Sequence, residues 1–302
     1  MIEIDGLTKR YGREVAAAEV SFNCEPGTVT GFLGPNGAGK STTLRMLCGL
    51  TRPDAGASRV LETPYRAIPN PGRHIGVMLD ASAQHKGRSG RETLELIALT
   101  IDAGRERVGQ MLDRVGLDRR AASKRVGDYS LGMRQRLGIA GALIGSPSVL
   151  VLDEPANGLD PAGIVWMRGL LRDFADRGGT VLLSSHLLHE VEAVADQLVL
   201  INHGKVVAAG AKAELLAASG TLVRAGDMAA LERVLAKAEI GVETIDGHLV
   251  ADAEAALVGE IANAGGVALT ELRGADGGGL EGLFMSLTEG AGEAAGTGEE
   301  ER

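Results

Sequence analysis

Aromatic residues are scarce: one Trp, three Tyr and four Phe in 302 residues, 3% of the chain. With apolar residues at 44%, the core has to come mainly from Leu, Val, Ile and Ala, a composition that favours helices packed on a parallel sheet. Cysteine is nearly absent. Cys24 and Cys48 have neither CxxC spacing nor a His/Cys cluster beside them, which excludes a disulfide scaffold and a cysteine-based metal or redox site and leaves two buried, reduced thiols. Positive charge is in deficit, 31 Lys and Arg against 40 Asp and Glu, so no nucleic-acid partner is expected. No stretch approaches the roughly 20 apolar residues of a membrane-spanning helix, and Met1 to Asp5 lack the basic and apolar regions of a signal peptide. A cytoplasmic chain is the expectation.

The length suggests about two domains. Residues 1 to about 215 alternate short apolar runs with helical patterns, the pattern of a parallel sheet with crossover helices. Val149 to Leu152, Thr180 to Leu183 and Gln197 to Ile201 are continuous apolar runs, which suggests strands buried on both faces. Pro161 to Arg177 is a helix with Asp160 as N-cap and Gly178-Gly179 as its stop. From about 220 the pattern becomes strand (Thr221 to Arg224), helix (Met228 to Lys237), two strands around Asp246-Gly247, helix (Ala253 to Ala264) and strand (Val267 to Leu272). This is a small split βαβ domain over 220–288, closed by a helix near Leu280 to Leu287. From Glu289 to Arg302, Gly, Ala and five Glu have nothing to bury, and a disordered acidic tail is expected.

Gly34-Pro35-Asn36-Gly37-Ala38-Gly39-Lys40-Ser41 fits G-x-x-x-x-G-K-[ST] at every fixed position, the P-loop pattern. Val29, Phe32 and Leu33 mark a strand before it, and Ser41 to Leu50, which includes Thr42, a helix after it. Glycines let backbone N–H groups curl around a β-phosphate, the helix N-terminus adds positive potential, Lys40 can reach β and γ oxygens, and Ser41 can hold Mg²⁺. A glycine-rich turn with a solvated lysine is the competing reading.

Asp153-Glu154-Pro155 follows directly on the buried run Val149 to Leu152. Adjacent carboxylates at a strand end point to different sides and can take different work: Asp153 as a Mg²⁺ partner, Glu154 as base or orienter for an attacking water. A charged strand end with Asp as a cap remains the plain alternative.

Together with Tyr129-Ser130-Leu131-Gly132-Met133-Arg134-Gln135-Arg136, these residues resemble the ATPase subunit of ATP-binding-cassette (ABC) transporters, which carries its LSGGQ signature at this place. Ser130 stands 23 residues before Asp153. The resemblance covers about residues 2 to 215 and implies an α/β P-loop NTPase cassette with a helical signature subdomain at about 85–145. By position it implies that Tyr11 stacks on adenine, that Ser130 and Gly132 meet the γ-phosphate bound by an opposite subunit, that Asp160 lies in a loop crossing the dimer interface, and that His186 contacts the γ-phosphate. His189 has no matching role. Three positions depart from the family pattern: Asp80 replaces the loop glutamine that senses Mg²⁺ and the permease, with Gln84 as a nearby alternative, and Leu131 and Met133 replace a glycine and a glutamine of the signature. A carboxylate at position 80 can still bind a metal through water.

The implied function is ATP hydrolysis, with ATP and Mg²⁺ as cofactors, by a homodimer docked on a separate integral membrane permease at the inner face of the cell membrane. The small appendage after residue 220 and the SLG-type signature are similar to those of cassettes serving type 2 exporters, including antibiotic and multidrug efflux. An importer ATPase shares every catalytic motif and stays open, as does a soluble cassette acting on ribosomes or DNA. The single P-loop and the separation of only 89 positions from Lys40 to Tyr129 argue against the latter.

Overall fold

The computed structural model describes residues 1–216, 220–245, 248–274, 280 and 282–284. These form two units, Met1–Lys212 and a second beginning at Ala213.

In the first unit, β1 (Ile2–Tyr11), β2 (Glu14–Cys24) and β4 (Ala55–Val60) make an antiparallel sheet in the order β2-β1-β4. The sequence reading of residues 1 to 215 as one parallel sheet missed it. Gly12 at φ +62° turns β1 into β2, a conformation that costs glycine little, so two residues connect the strands where a parallel pair would need a crossover. The second sheet has the order β5-β6-β7-β3-β8-β9, formed by β3 (Val29–Leu33), β5 (Ile75–Met78), β6 (Val149–Asp153), β7 (Thr180–Ser185), β8 (Gln197–Asn202) and β9 (Lys205–Ala211). It is parallel except for β9 on its edge. Every residue of β3, β6 and β7 is buried, as the apolar runs Val149 to Leu152 and Val181 to Leu183 at the centre of the sheet require. Phe22, Phe32, Leu44, Ile75, Val151 and Ile201 belong to one core cluster that joins the two sheets.

Helices fill the connections. α1 (Lys40–Leu47) follows β3; α2 (Gly90–Thr100), α3 (Glu106–Arg114), α4 (Arg119–Ser123) and α5 (Leu131–Leu143) lie between β5 and β6. α2 opens on a complete capping box, Ser89 with Glu92, and α4 on Asp118, whose carboxylate accepts from Ala121 N–H at 2.7 Å. α6 (Pro161–Asp176) starts with Pro161 in its first turn and Asp160 accepting from Gly163 N–H at 2.9 Å; it ends before Gly178 at φ +86°. α7 (Leu188–Glu192) follows β7, and α8 (Lys212–Leu215) follows β9.

The second unit runs β10 (Thr221–Ala225), α9 (Met228–Lys237), β11 (Val242–Ile245), β12 (His248–Ala251), α10 (Ala255–Ala264) and β13 (Leu269–Gly274). Its strands pair antiparallel in the order β11-β12-β10-β13, which places each strand of a βαβ unit one strand away from its mate, the split βαβ arrangement. Leu231, Leu235, Val258 and Ala262 pack the two helices onto Val223 and Leu249. The turn expected at Asp246-Gly247 and the tail from Glu289 lie outside the described residues, as does most of the helix expected near Leu280 to Leu287.

Candidate active site

Strand register assembles the site. Leu33 pairs with Ser185, and Asp153 with Ser184, so β3, β6 and β7 end at the same edge of the sheet. The chain continues from those ends into Gly34–Ser41, Glu154 and His186, and three distant segments meet there. This is where an open α/β sheet exposes its ligand crevice, beyond the carboxyl ends of the strands.

The glycine-rich loop is held closely against its surroundings. A Cβ on Gly39, whose φ is +103°, would collide with the carbonyl oxygen of Ala16, and one on Gly34 with that of Ile201. Lys40 is 5% exposed, and its Nζ donates to Gly34 O at 2.6 Å and Pro35 O at 3.2 Å. The same Nζ lies 3.5 Å from Glu154 Oε1, while Glu154 Oε2 lies 2.8 Å from His186 Nδ1. An ionised carboxylate only accepts, so Nδ1 carries the proton in that bond.

Asp153 and Glu154 do separate. Asp153 is buried and accepts from the hydroxyl of Ser184, whereas Glu154 faces Lys40 and His186. Glu154 adopts φ +50°, sparsely populated for a residue with a side chain. Its N–H donates to both Ser184 O, 3.2 Å, and Ser184 Oγ, 3.1 Å. Ser184 thus holds the carboxylate of Asp153 and the backbone of Glu154. Sequence analysis assigns Ser184 no role, although a hydroxyl closing an apolar strand is a usable signal.

A cavity of about 380 Å³ lies over the loop, lined by Tyr11, Glu14, Ala16, Pro35, Asn36, Gly37, Gly39, Lys40, Ser41, Thr42 and Glu154. Tyr11 is half exposed, and Lys9 Nζ lies 5.6 Å from its ring centre. Ala38, within the loop, is buried. Ser130, Gly132 and Asp160 do not line this cavity. Ser130 caps α5, accepting from Met133 N–H at 3.2 Å; the carbonyl of Gly158, two residues before Asp160, lies 2.8 Å from where a Cβ of Gly132 would stand. Asp80 is also elsewhere: its Oδ1 accepts from Ser82 N–H at 2.7 Å and Ser82 Oγ at 2.6 Å, and these bonds hold its carboxyl below the usual range. Gln84 is tied to α5, donating from Nε2 to Arg134 O at 3.1 Å. Among the described residues no cluster of three His, Cys, Asp or Glu could hold a metal on its own. No helix there is long and apolar enough to cross a membrane.

Residues 17–157 match the family model for ABC transporter. The chain is 40% identical over 210 residues to the bacitracin transport ATP-binding protein BcrA of Bacillus licheniformis, covering 68% of each protein. It is 38% identical over 252 residues to the daunorubicin/doxorubicin resistance ATP-binding protein DrrA of Streptomyces peucetius, covering 80% of this chain and 76% of that one. The second alignment is longer than the first unit and so extends into the next. Among solved structures, an ATP-binding subunit of an ABC transporter superposes with TM-score 0.65 at 27% identity, over 71% of this chain and 91% of that one. The cassette MJ0796, in a dimeric post-hydrolysis state bound to ADP and Pi, shares the fold with TM-score 0.64 at 22% identity, over 70% of this chain and 98% of that one. The chain belongs to the ATP-binding, ATP-hydrolysing family of ABC transporter subunits.

Proposed function

We propose that this chain powers export of a small, antibiotic-like molecule through a separate membrane permease, with ATP hydrolysed at the cavity over the phosphate loop. The observation that carries the catalytic part is Glu154, whose two carboxylate oxygens face Lys40 at 3.5 Å and His186 at 2.8 Å beside Gly34–Ser41. Export is supported by relatives named for bacitracin transport, daunorubicin/doxorubicin resistance and Nod factor export.

In this reading the N–H groups of Gly37 to Ser41 and Thr42 hold the phosphates, and Tyr11 stacks on adenine. Lys40 exchanges its contacts with the Gly34 and Pro35 carbonyls for β and γ oxygens. Mg²⁺ prefers one or two protein ligands completed by phosphates and water, and a hydroxyl at Ser41 with a carboxylate at Asp153 is such a donor set. The ion would supply charge neutralisation on the phosphates. Glu154 takes or orients the proton of the attacking water, and His186 meets the γ-phosphate. Asp80, which stands where the family carries its loop glutamine, keeps a carboxylate oxygen beyond its bonds to Ser82 and is the metal ligand at this loop through water, with Gln84 as the alternative. Residues 1–215 form the ATPase and 220–288 a separate module. A second copy of the chain contributes Ser130, Gly132 and Asp160 to each site, and the dimer sits on the permease at the inner membrane face.

The composite arrangement is tested by mixing Lys40→Ala with Ser130→Arg. Each homodimer has both sites broken, but a mixed dimer keeps one site with an intact loop and an intact serine. With subunit exchange confirmed by differently tagged chains, activity should exceed the sum of the separate samples. Confirmed mixed dimers without regained activity contradict independent composite sites.

A further inference from the structure

Gln135 lies on α5, five residues after the capping Ser130, with 5% of its surface exposed. Its Nε2 donates to the backbone carbonyl of Glu154 at 3.1 Å. The amide oxygen is also buried and has no hydrogen-bond partner. That asymmetry fixes the amide's orientation, because turning it over would press two acceptors together.

The left-handed backbone of Glu154 is therefore gripped from two elements. Ser184 on β7 holds its N–H, and Gln135 on α5 holds its carbonyl. Asn157 N–H also reaches that carbonyl at 3.2 Å, but this bond lies inside the turn and travels with it. Of the described groups on the Glu154 backbone, Gln135 alone ties it to the helix that Ser130 opens. The preceding residue of α5 is bonded too, since the Arg134 carbonyl accepts from Gln84.

We propose that Gln135 is a positioning residue, which through the Glu154 carbonyl sets where the Glu154 carboxylate stands and makes that position follow α5. The proposal rests on the assignment of Glu154 to the attacking water. Gln135 does not line the phosphate-loop cavity, so its loss should reach turnover and spare binding. A donor lost from a buried carbonyl, together with a displaced reacting group, corresponds to a fall in rate of about 10-fold or more.

The test uses the full chain with Gln135→Met, similar in length and without a donor, and Gln135→Glu. ATP dissociation constants should stay within about 2-fold of the parent while kcat falls about 10-fold in the Met variant. The Glu variant should lose activity relative to the parent as pH rises, because its acid form donates an O–H to the Glu154 carbonyl and its carboxylate cannot. The Met variant should show no such trend. In a Glu154→Gln background, single-turnover rates should fall no further when Gln135→Met is added, since Gln135 acts only through the residue already disabled. Parental kcat in the Met variant, or an equal loss in the Glu154→Gln background, overturns the proposal. If the Met variant does not fold, a pH-independent Glu variant overturns it as well. Parental hydrolysis by Glu154→Gln alone removes the assignment of Glu154 beneath it, an outcome distinct from a silent Gln135 beside an inactive Glu154→Gln.

Discussion

Glu154 and His186, 32 residues apart, meet at 2.8 Å because β6 and β7 end in register. The bond orients the imidazole, and in the proposed mechanism it places a polar group where charge develops on the γ-phosphate. His186→Ala should lower turnover by about 10- to 100-fold and leave ATP affinity within about 2-fold. A colorimetric phosphate assay beside a binding titration separates the two. Equal losses in both would place His186 in ground-state binding.

Gly39 is at φ +103° with the Ala16 carbonyl behind it, so Gly39→Ala meets backbone strain and a collision at once. The left-handed conformation alone costs about 1–3 kcal/mol for a residue with a Cβ. The variant should lose ATP binding and show a lower melting temperature. Unchanged affinity would mean that the loop rearranges without cost.

The P-loop, the acidic pair and the α6 cap could be read directly because their chemistry is local: spacing and residue type specify the turn and the helix start. Asp160 as N-cap, with Pro161 following, needs only neighbouring residues to be recognised. β1 and β2 pair across a local turn at Gly12, but the addition of β4 to them was not legible, since it brings Ile2 to Val60 and depends on a partner far along the chain. Ser184 and Gln135 were missed for a related reason. Each acts on the backbone of Glu154, and no side-chain motif records a contact made to another residue's peptide group. Gln84 gains its place from a bond to Arg134, 50 residues away.

The nucleotide-site residues all lie before Lys212, where the first unit ends. A chain truncated after residue 216 should fold and bind ATP within about 3-fold of the full chain, since the units have separate cores. Loss of binding in a soluble truncation would mean that the second unit supports the site.

Burial pushes the thiols of Cys24 and Cys48 up to about 12 from an ordinary 9.0. The folded state holds these protons longer than the unfolded one, so their contribution to stability is complete below pH 9.0 and is lost as pH rises to about 12. At about pH 8 a thiol reagent should label neither cysteine in the native chain and both in urea. Rapid native labelling would contradict the burial.

In the proposed mechanism Glu154 activates water on ATP bound over the phosphate loop. The direct measurement is ATP binding and steady-state hydrolysis by purified Glu154→Gln beside the parent. The amide keeps the side chain's shape and removes its basicity, so affinity should hold within about 3-fold while kcat falls by about 10²- to 10⁴-fold. Hydrolysis at the parental rate by a variant that binds ATP normally would contradict it.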